Sequence, residues 1–212
     1  MTSIERIENS LLAAVAASIG PGCPPRLAAA VRHAVFPGGA RIRPQLCLAV
    51  ARACGDDQPG LADAAAVAVE LLHCASLVHD DLPCFDDAPL RRGQASVHSA
   101  YGERLAVLAG DALIVMASQV LVQAGQAAPD RALQVMQTIN AGVGMPGGIV
   151  AGQAWECEPR VALRDYQRLK TGALFAAATC RARKRRGVTP KPGGRWANAW
   201  ARPTRWPTTS AM

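Results

Sequence analysis

Between Leu61 and Asp81 the chain carries one long helical pattern, LADAAAVAVELLHCASLVHDD, apolar along almost its whole length and closed by Leu82-Pro83. Half of the 212 residues are hydrophobic but only 4% are aromatic, and Ala is the dominant type. Ala and Leu form helices readily, whereas the residues that fill sheets are sparse. The expected class is all-α, with enough chain for one helical domain or two small ones.

Other helices are expected over residues 3–18, from the break at Gly20–Pro25 to about Phe36, and from Arg43-Pro44 onward. Further patterns cover 101–124, 130–141, 147–157 and 162–179, with loops at Asp56–Gly60 and over 84–98. Near residue 180 the composition changes: Arg, Pro, Trp and Thr replace Ala, Leu and Val, and periodicity vanishes.

The charge divides at the same place. The formal +7 would suggest an acidic partner, but residues 1–180 hold all 16 acids and 14 of the 23 bases, for a net −2. The last 32 residues hold nine bases and no acid. Seven cysteines form no CxxC pair, and no cationic-apolar leader opens the chain, so reduced thiols in a cytoplasm are expected. No apolar run approaches the ~20 residues of a membrane span, so no stable membrane insertion is expected.

The long helix ends in His79-Asp80-Asp81-Leu82-Pro83-Cys84-Phe85-Asp86-Asp87. Carboxylates are disfavoured at a helix C-terminus, where the macrodipole is already negative. A hard divalent cation would offset that cost, and Mg²⁺ prefers a few carboxylates together with water and phosphate oxygens. Arg91-Arg92-Gly93 follows, with guanidinium forks suited to phosphate. Together these residues have the chemistry to grip and activate a diphosphate.

The run LLHCASLVHDDLPCFDDAPLRRG…VHSAYGERLAVLAGDAL (71–113) resembles the first aspartate-rich region, DDxxxxD then RRG, of the trans-isoprenyl diphosphate synthases, or polyprenyl synthetases. GGARIRP (38–44) is similar to that family's GGKRxRP, GGIVAGQAWE (147–156) to its GGQ helix and KTGALF (170–175) to its KTG motif. The order of these motifs makes chance similarity improbable. The likeness is greatest to bacterial carotenoid-pathway members that make geranylgeranyl diphosphate.

This resemblance implies a bundle of long helices around a central cleft, the isoprenoid synthase fold, with Mg²⁺ as cofactor. The implied substrates are isopentenyl diphosphate and an allylic diphosphate, farnesyl diphosphate or shorter. It implies a homodimer when the protein is full-length. Asp80 and Asp86 would ligate Mg²⁺, with Asp81 in or near the first shell. Arg91, Lys170 and Thr171 would hold the allylic diphosphate, and Arg43, His73 and Arg92 the isopentenyl diphosphate. His73 precedes Asp80 by two helical turns on one face; without that context it would read as a satisfied core histidine. Gln153 would lie near the metals. Ala75 and Ser76, one turn before Asp80, would floor the tunnel for the growing chain, and the small Ala75 implies a geranylgeranyl product. Ala40 departs from the family's usual Lys, leaving more of the isopentenyl diphosphate binding to Arg43 and Arg92.

A larger departure follows. The family's second aspartate motif, YQxxDDxxD, should lie beyond KTG, yet no Asp or Glu follows Asp165. Back-translating Gly194–Met212 with GC-rich codons and reading from the third base yields AVGERLGEAYQVADDIRD, which contains that motif. Residues 1–179 are therefore expected to be the N-terminal part of a synthase domain, and 180–212 a frameshifted, disordered tail. The chain as given is expected to be inactive.

Three rival readings differ in what they require. A non-catalytic partner subunit would need a well-patterned C-terminus. A terpene cyclase would not be expected to carry GGxRxRP, RRG and KTG together. A nucleic-acid binder would use the basic tail with Trp196, Trp200 and Trp206, but the out-of-frame motif leaves no nucleic-acid partner expected. A farnesyl product is the alternative on chain length.

Overall fold

The computed structural model describes residues 1–36, 38–160 and 166–179. Its helices are α1 (Ser3–Ser18), α2 (Pro25–Val35), α3 (Ile42–Ala53), α4 (Pro59–Asp80), α5 (Val97–Tyr101), α6 (Glu103–Gly125), α7 (Pro129–Val143), α8 (Ile149–Ala154) and α9 (Ala173–Thr179). A 3₁₀ turn at Trp155–Cys157 follows α8, and a π-helical turn at Arg168–Gly172 leads into α9. A hairpin of β1 (Leu90–Arg91) and β2 (Gln94–Ala95) is the only sheet among the described residues. The all-α expectation holds.

Proline in the first turn opens α2, α4 and α7, where its missing N–H costs nothing. A capping box of Thr2 and Glu5 opens α1. α4 is the axis: every residue from Ala64 to Leu72 is buried, as a helix apolar on all sides requires. α6 runs along it, and α1, α2 and α3 pack on its other sides. Small residues on α6, including Ala106, Ala109 and Gly110, are buried in this packing. A Cβ at Gly110 would collide with the His79 imidazole, so glycine lets His79 lie against α6.

An ion-pair network runs through the core. Arg41, 3% exposed and left-handed at φ 49°, precedes α3. Its Nη1 donates to Glu70 Oε1 on α4 at 2.7 Å and its Nε to Glu8 Oε1 on α1 at 2.7 Å. Nη2 donates to the carbonyl of Val35 at 2.9 Å. One side chain thus ties the loop before α3 to α1, α2 and α4. A Cβ at Gly38 would run into the same guanidinium.

The expected helix over 101–124 is interrupted at Gly102, whose φ of 87° separates α5 from α6. The 84–98 segment, expected as loop, holds the hairpin and the start of α5. Leu90 pairs with Ala95 and Arg91 with Gln94, leaving Arg92-Gly93 as a two-residue turn with φ of 54° and 80°. Positive φ at both positions is the type I′ geometry that matches strand twist. The helix expected over 147–157 shortens to α8 and its 3₁₀ turn. Residues 161–165 and the expected tail from residue 180 lie outside the described residues.

α4 and α6 are each long and apolar enough, by length and composition, to cross a membrane. This corrects the expectation from uninterrupted apolar runs: Glu70, His73 and Asp111 break those runs without making either helix polar. The apolar stretch of α4 is mostly buried within the fold, that of α6 less than half.

Candidate active site

The site is built on the C-terminal end of α4. The Asp86 N–H donates to the Asp80 carbonyl at 3.0 Å, and the Ala88 N–H to the Asp81 carbonyl at 3.2 Å. These bonds satisfy carbonyls that a helix end leaves open. They also fold the loop back, so that Asp86 returns beside Asp80. The Asp80 side chain is 12% exposed, whereas Asp86 faces solvent.

Two donors from later in the chain meet Asp80 Oδ1: Nε2 of Gln153, and Nζ of Lys170 at 3.3 Å. Lys170 Nζ also donates to Glu156 Oε1 at 2.6 Å, and the Tyr166 hydroxyl donates to that same Glu156 oxygen. Burial opposes the Lys170 charge, but hydrogen bonds to Glu156 and Tyr166 and the charge of Asp80 outweigh it, raising its pKa above the ordinary lysine value. Close packing brings these groups together. A Cβ at Gly152 would lie 2.7 Å from the Lys170 Cα, so the glycine before Gln153 lets α8 press against the π-helical turn. Such turns are frequent at functional sites. Thr171 is exposed, next to Lys170.

A second group lies further along α4. His73 is partly buried, and its pKa is pushed down to about 3 by burial and then by the charges of Arg43, Arg92, Arg41 and Arg91. Arg43 in the first turn of α3 sits over the Phe175 ring at 4.4 Å, with its buried Nε left without a hydrogen-bond partner. Burial and the nearby Arg92 charge lower the Arg43 pKa, despite the opposing pull of Glu70. A Cβ at Gly39 would stand 2.7 Å from Arg92 Cζ. Crowded guanidinium groups, a neutral imidazole and an unused buried donor make a region that favours an anion.

The hairpin sends its two arginines to different places. Arg91 Nε donates to Asp81 Oδ1 at 2.9 Å and Oδ2 at 3.1 Å, and its Nη2 also meets Oδ1. Asp81 is 2% exposed. Asp81, expected in or near a metal's first shell, is turned inward at the helix cap and paired with two nitrogens of one guanidinium. Arg91, expected on a diphosphate, is correspondingly engaged with Asp81. Arg92 lies against Gly39 and near Arg43 and His73.

Among the described residues, no three His, Cys, Asp or Glu side chains converge as a ready-made metal cage. The donor set still suits Mg²⁺, which asks for one or two carboxylates and takes its other oxygens from water and phosphate. Asp80 already attracts an ammonium to Oδ1, and Asp86 is open to solvent.

Ala75, 2% exposed, lies in the core, while Ser76 is partly buried and donates to the His73 carbonyl at 2.8 Å. One turn further from Asp80, a cavity of about 180 Å³ opens between α4, α6 and α7, with Leu72, Ile114, Leu121, Met136 and Ile139 on its walls. A larger cavity of about 350 Å³, beside Cys47, Asp56, Arg131 and Ala178, touches none of the residues above.

Glu156, Tyr166, Arg41 and Glu70 are absent from the sequence-based site. Three of them left a signal. Glu156 lies three residues after Gln153, Tyr166 lies one helical turn before Lys170, and Glu70 is an acid inside an apolar helix.

Comparison with known proteins identifies relatives of this chain. The family model described as "Polyprenyl synthetase" matches residues 24–189. The chain is 59% identical over 175 residues to the geranylgeranyl diphosphate synthase of Cereibacter sphaeroides, covering 82% of this chain and 61% of that protein. It is 55% identical over 179 residues to that of Rhodobacter capsulatus, covering 84% and 62%. The chain therefore spans about three-fifths of the length of these curated relatives. Among solved structures, the geranyltransferase of Legionella pneumophila superposes with a TM-score of 0.77 at 31% identity, over 93% of this chain and 70% of that one.

Proposed function

The chain belongs to the polyprenyl synthetase family, and on that premise we propose that residues 1–179 are the N-terminal part of a Mg²⁺-dependent geranylgeranyl diphosphate synthase. Its reaction would join isopentenyl diphosphate to an allylic diphosphate, farnesyl diphosphate or shorter, in isoprenoid or carotenoid biosynthesis. The observation that carries this reading is the pairing of two unlike groups along α4. Asp80 with Gln153 and Lys170 stands at its end, and the cationic cluster of Arg43 and Arg92 around the neutral His73 lies two turns away.

Asp80 and Asp86 would hold Mg²⁺, which when bound neutralises charge on a leaving diphosphate. Lys170 and Thr171 would bind that diphosphate from the π-helical turn, and Lys170 carries a full positive charge for the task. Arg91 would contribute from its place on Asp81. Arg43 and Arg92 would hold the second diphosphate, and the orphaned Arg43 Nε is a donor awaiting an acceptor. His73, kept neutral among those cations, can donate one hydrogen bond to the anion without bearing charge. The apolar flank of α4 would shield the reacting carbons from water. The small side chain of Ala75 would leave room for the product tail, favouring a geranylgeranyl rather than a farnesyl product.

The second aspartate motif is proposed to lie in another reading frame of the gene, with residues 180–212 its out-of-frame translation. The complete enzyme is proposed to be a cytoplasmic homodimer. Exposed Val107, Leu108, Ile114, Val115 and Val122 on α6 supply an apolar face for that contact.

Two measurements test the reading. Resequencing across codons 175–185 should reveal the frame change. In the frame-restored protein, Asp80→Ala should abolish Mg²⁺-dependent condensation, because the reaction loses several kcal/mol of transition-state stabilisation. Near-normal turnover in that variant sinks the assignment.

A further inference from the structure

Lys170 has two carboxylate neighbours, and they make different demands on it. Its Nζ is 2.6 Å from Glu156 Oε1 and 3.3 Å from Asp80 Oδ1. Asp80 Oδ1 also accepts from Gln153 Nε2. A divalent cation bound at Asp80 would meet a fixed positive charge beside the same oxygen, and like charges at that separation repel strongly in a partly buried site. The ammonium therefore has to withdraw from Asp80 when a metal arrives, yet remain close enough to serve a diphosphate.

Glu156 offers the place to withdraw to. It stands on the 3₁₀ turn after α8, its oxygen is oriented by the Tyr166 hydroxyl, and the Lys170 ammonium lies 5.6 Å from the centre of the Tyr166 ring. We propose that Glu156, oriented by Tyr166, is a positioning residue that takes the closer contact with the Lys170 ammonium, so that this lysine holds Asp80 only loosely and yields the carboxylate to a divalent cation. The inference rests on the reading of Asp80 as a metal ligand. Without the Glu156 charge, Lys170 loses its nearer partner, closes on Asp80 and competes with the metal.

The test is equilibrium binding of Mn²⁺ to the 212-residue chain, read from the electron paramagnetic resonance signal of the free ion, with folding of every variant checked by circular dichroism. Asp80→Asn should weaken binding; if it does not, the metal reading fails and the inference falls with it. With that established, Glu156→Gln should weaken binding by about threefold or more, whereas Glu156→Asp should stay within about twofold of the parent. Lys170→Gln should tighten binding by about threefold, because the internal competitor is gone.

The double variant separates this role from simple loss of a nearby negative charge. If Glu156 acts through Lys170, adding Glu156→Gln to Lys170→Gln should change affinity by less than about twofold. An equal weakening in both backgrounds would show through-space charge alone and overturn the inference, leaving Asp80 as a ligand intact. No effect of Glu156→Gln in the parent would also overturn it. If Glu156→Gln does not fold, Lys170→Gln decides: no gain in Mn²⁺ affinity refutes the competition.

Discussion

The guanidinium of Arg41 meets the carboxylate of Glu70 at 2.7 Å, and neither side chain is more than 2% exposed. Removing one partner of such a pair strands the other charge in the core. Arg41→Leu is therefore expected to cost about 3–5 kcal/mol of folding stability. Urea denaturation should show it, and adding Glu70→Leu should restore part of the loss. A single variant as stable as the parent would mean that water reaches the pair.

His73 gives a pH dependence of definite sign. Its pKa is about 3 in the folded protein against 6.5 as a free side chain. Between those values the unfolded chain binds a proton that the folded chain does not, so stability is highest above pH 6.5 and falls toward pH 3. The difference in stability between parent and His73→Gln should shift in that direction across the window. A difference independent of pH would show that His73 titrates normally.

Gly39 tests the proposed second diphosphate region without removing a charge. A Cβ there would stand 2.7 Å from Arg92 Cζ, the far end of a flexible side chain that can move aside. Gly39→Ala should therefore change the melting temperature little. In the frame-restored enzyme it should raise KM for isopentenyl diphosphate about tenfold with kcat less affected. Equal losses in kcat and kcat/KM would place Arg92 in the transition state rather than in substrate binding.

The proposed role of Ala75 in product length can be tested directly. Its side chain is 2% exposed, and Ala75→Phe would add a ring where the structure now holds a methyl group. The frame-restored variant is expected to release a fifteen-carbon product in place of a twenty-carbon one, resolved by chromatography after dephosphorylation. A parent enzyme that itself stops at fifteen carbons would move the limiting position elsewhere, and the cavity beside Leu72 and Met136 is the next place to look.

The helices are legible in sequence where pattern and punctuation agree. α1 spans the expected residues because its apolar spacing and flanking breaks coincide, and α4 because Pro59 and Leu82-Pro83 bracket an apolar pattern that Glu70 and His73 interrupt only singly. The hairpin is not legible in this way. Gly93 signals a turn, but the turn also needs Arg92 at positive φ, which arginine seldom adopts. Spacing and resemblance single out Asp80, Arg43, His73 and Lys170. They do not reveal that Arg91 belongs to Asp81, since which arginine faces the helix end depends on strand register. Arg41 is hidden in the sequence for a related reason: GGARIRP holds two arginines, and only tertiary packing distinguishes the buried one from the one beside Phe175.

The two-residue turn at Arg92-Gly93 makes the sequence interval after Asp81 a fixed ruler. Residues along a strand alternate in direction, so one inserted or deleted residue between Pro89 and Arg91 would turn the Arg91 guanidinium away from Asp81. The buried carboxylate would then lose its counter-charge. The interval thus constrains the loop's length more tightly than its composition.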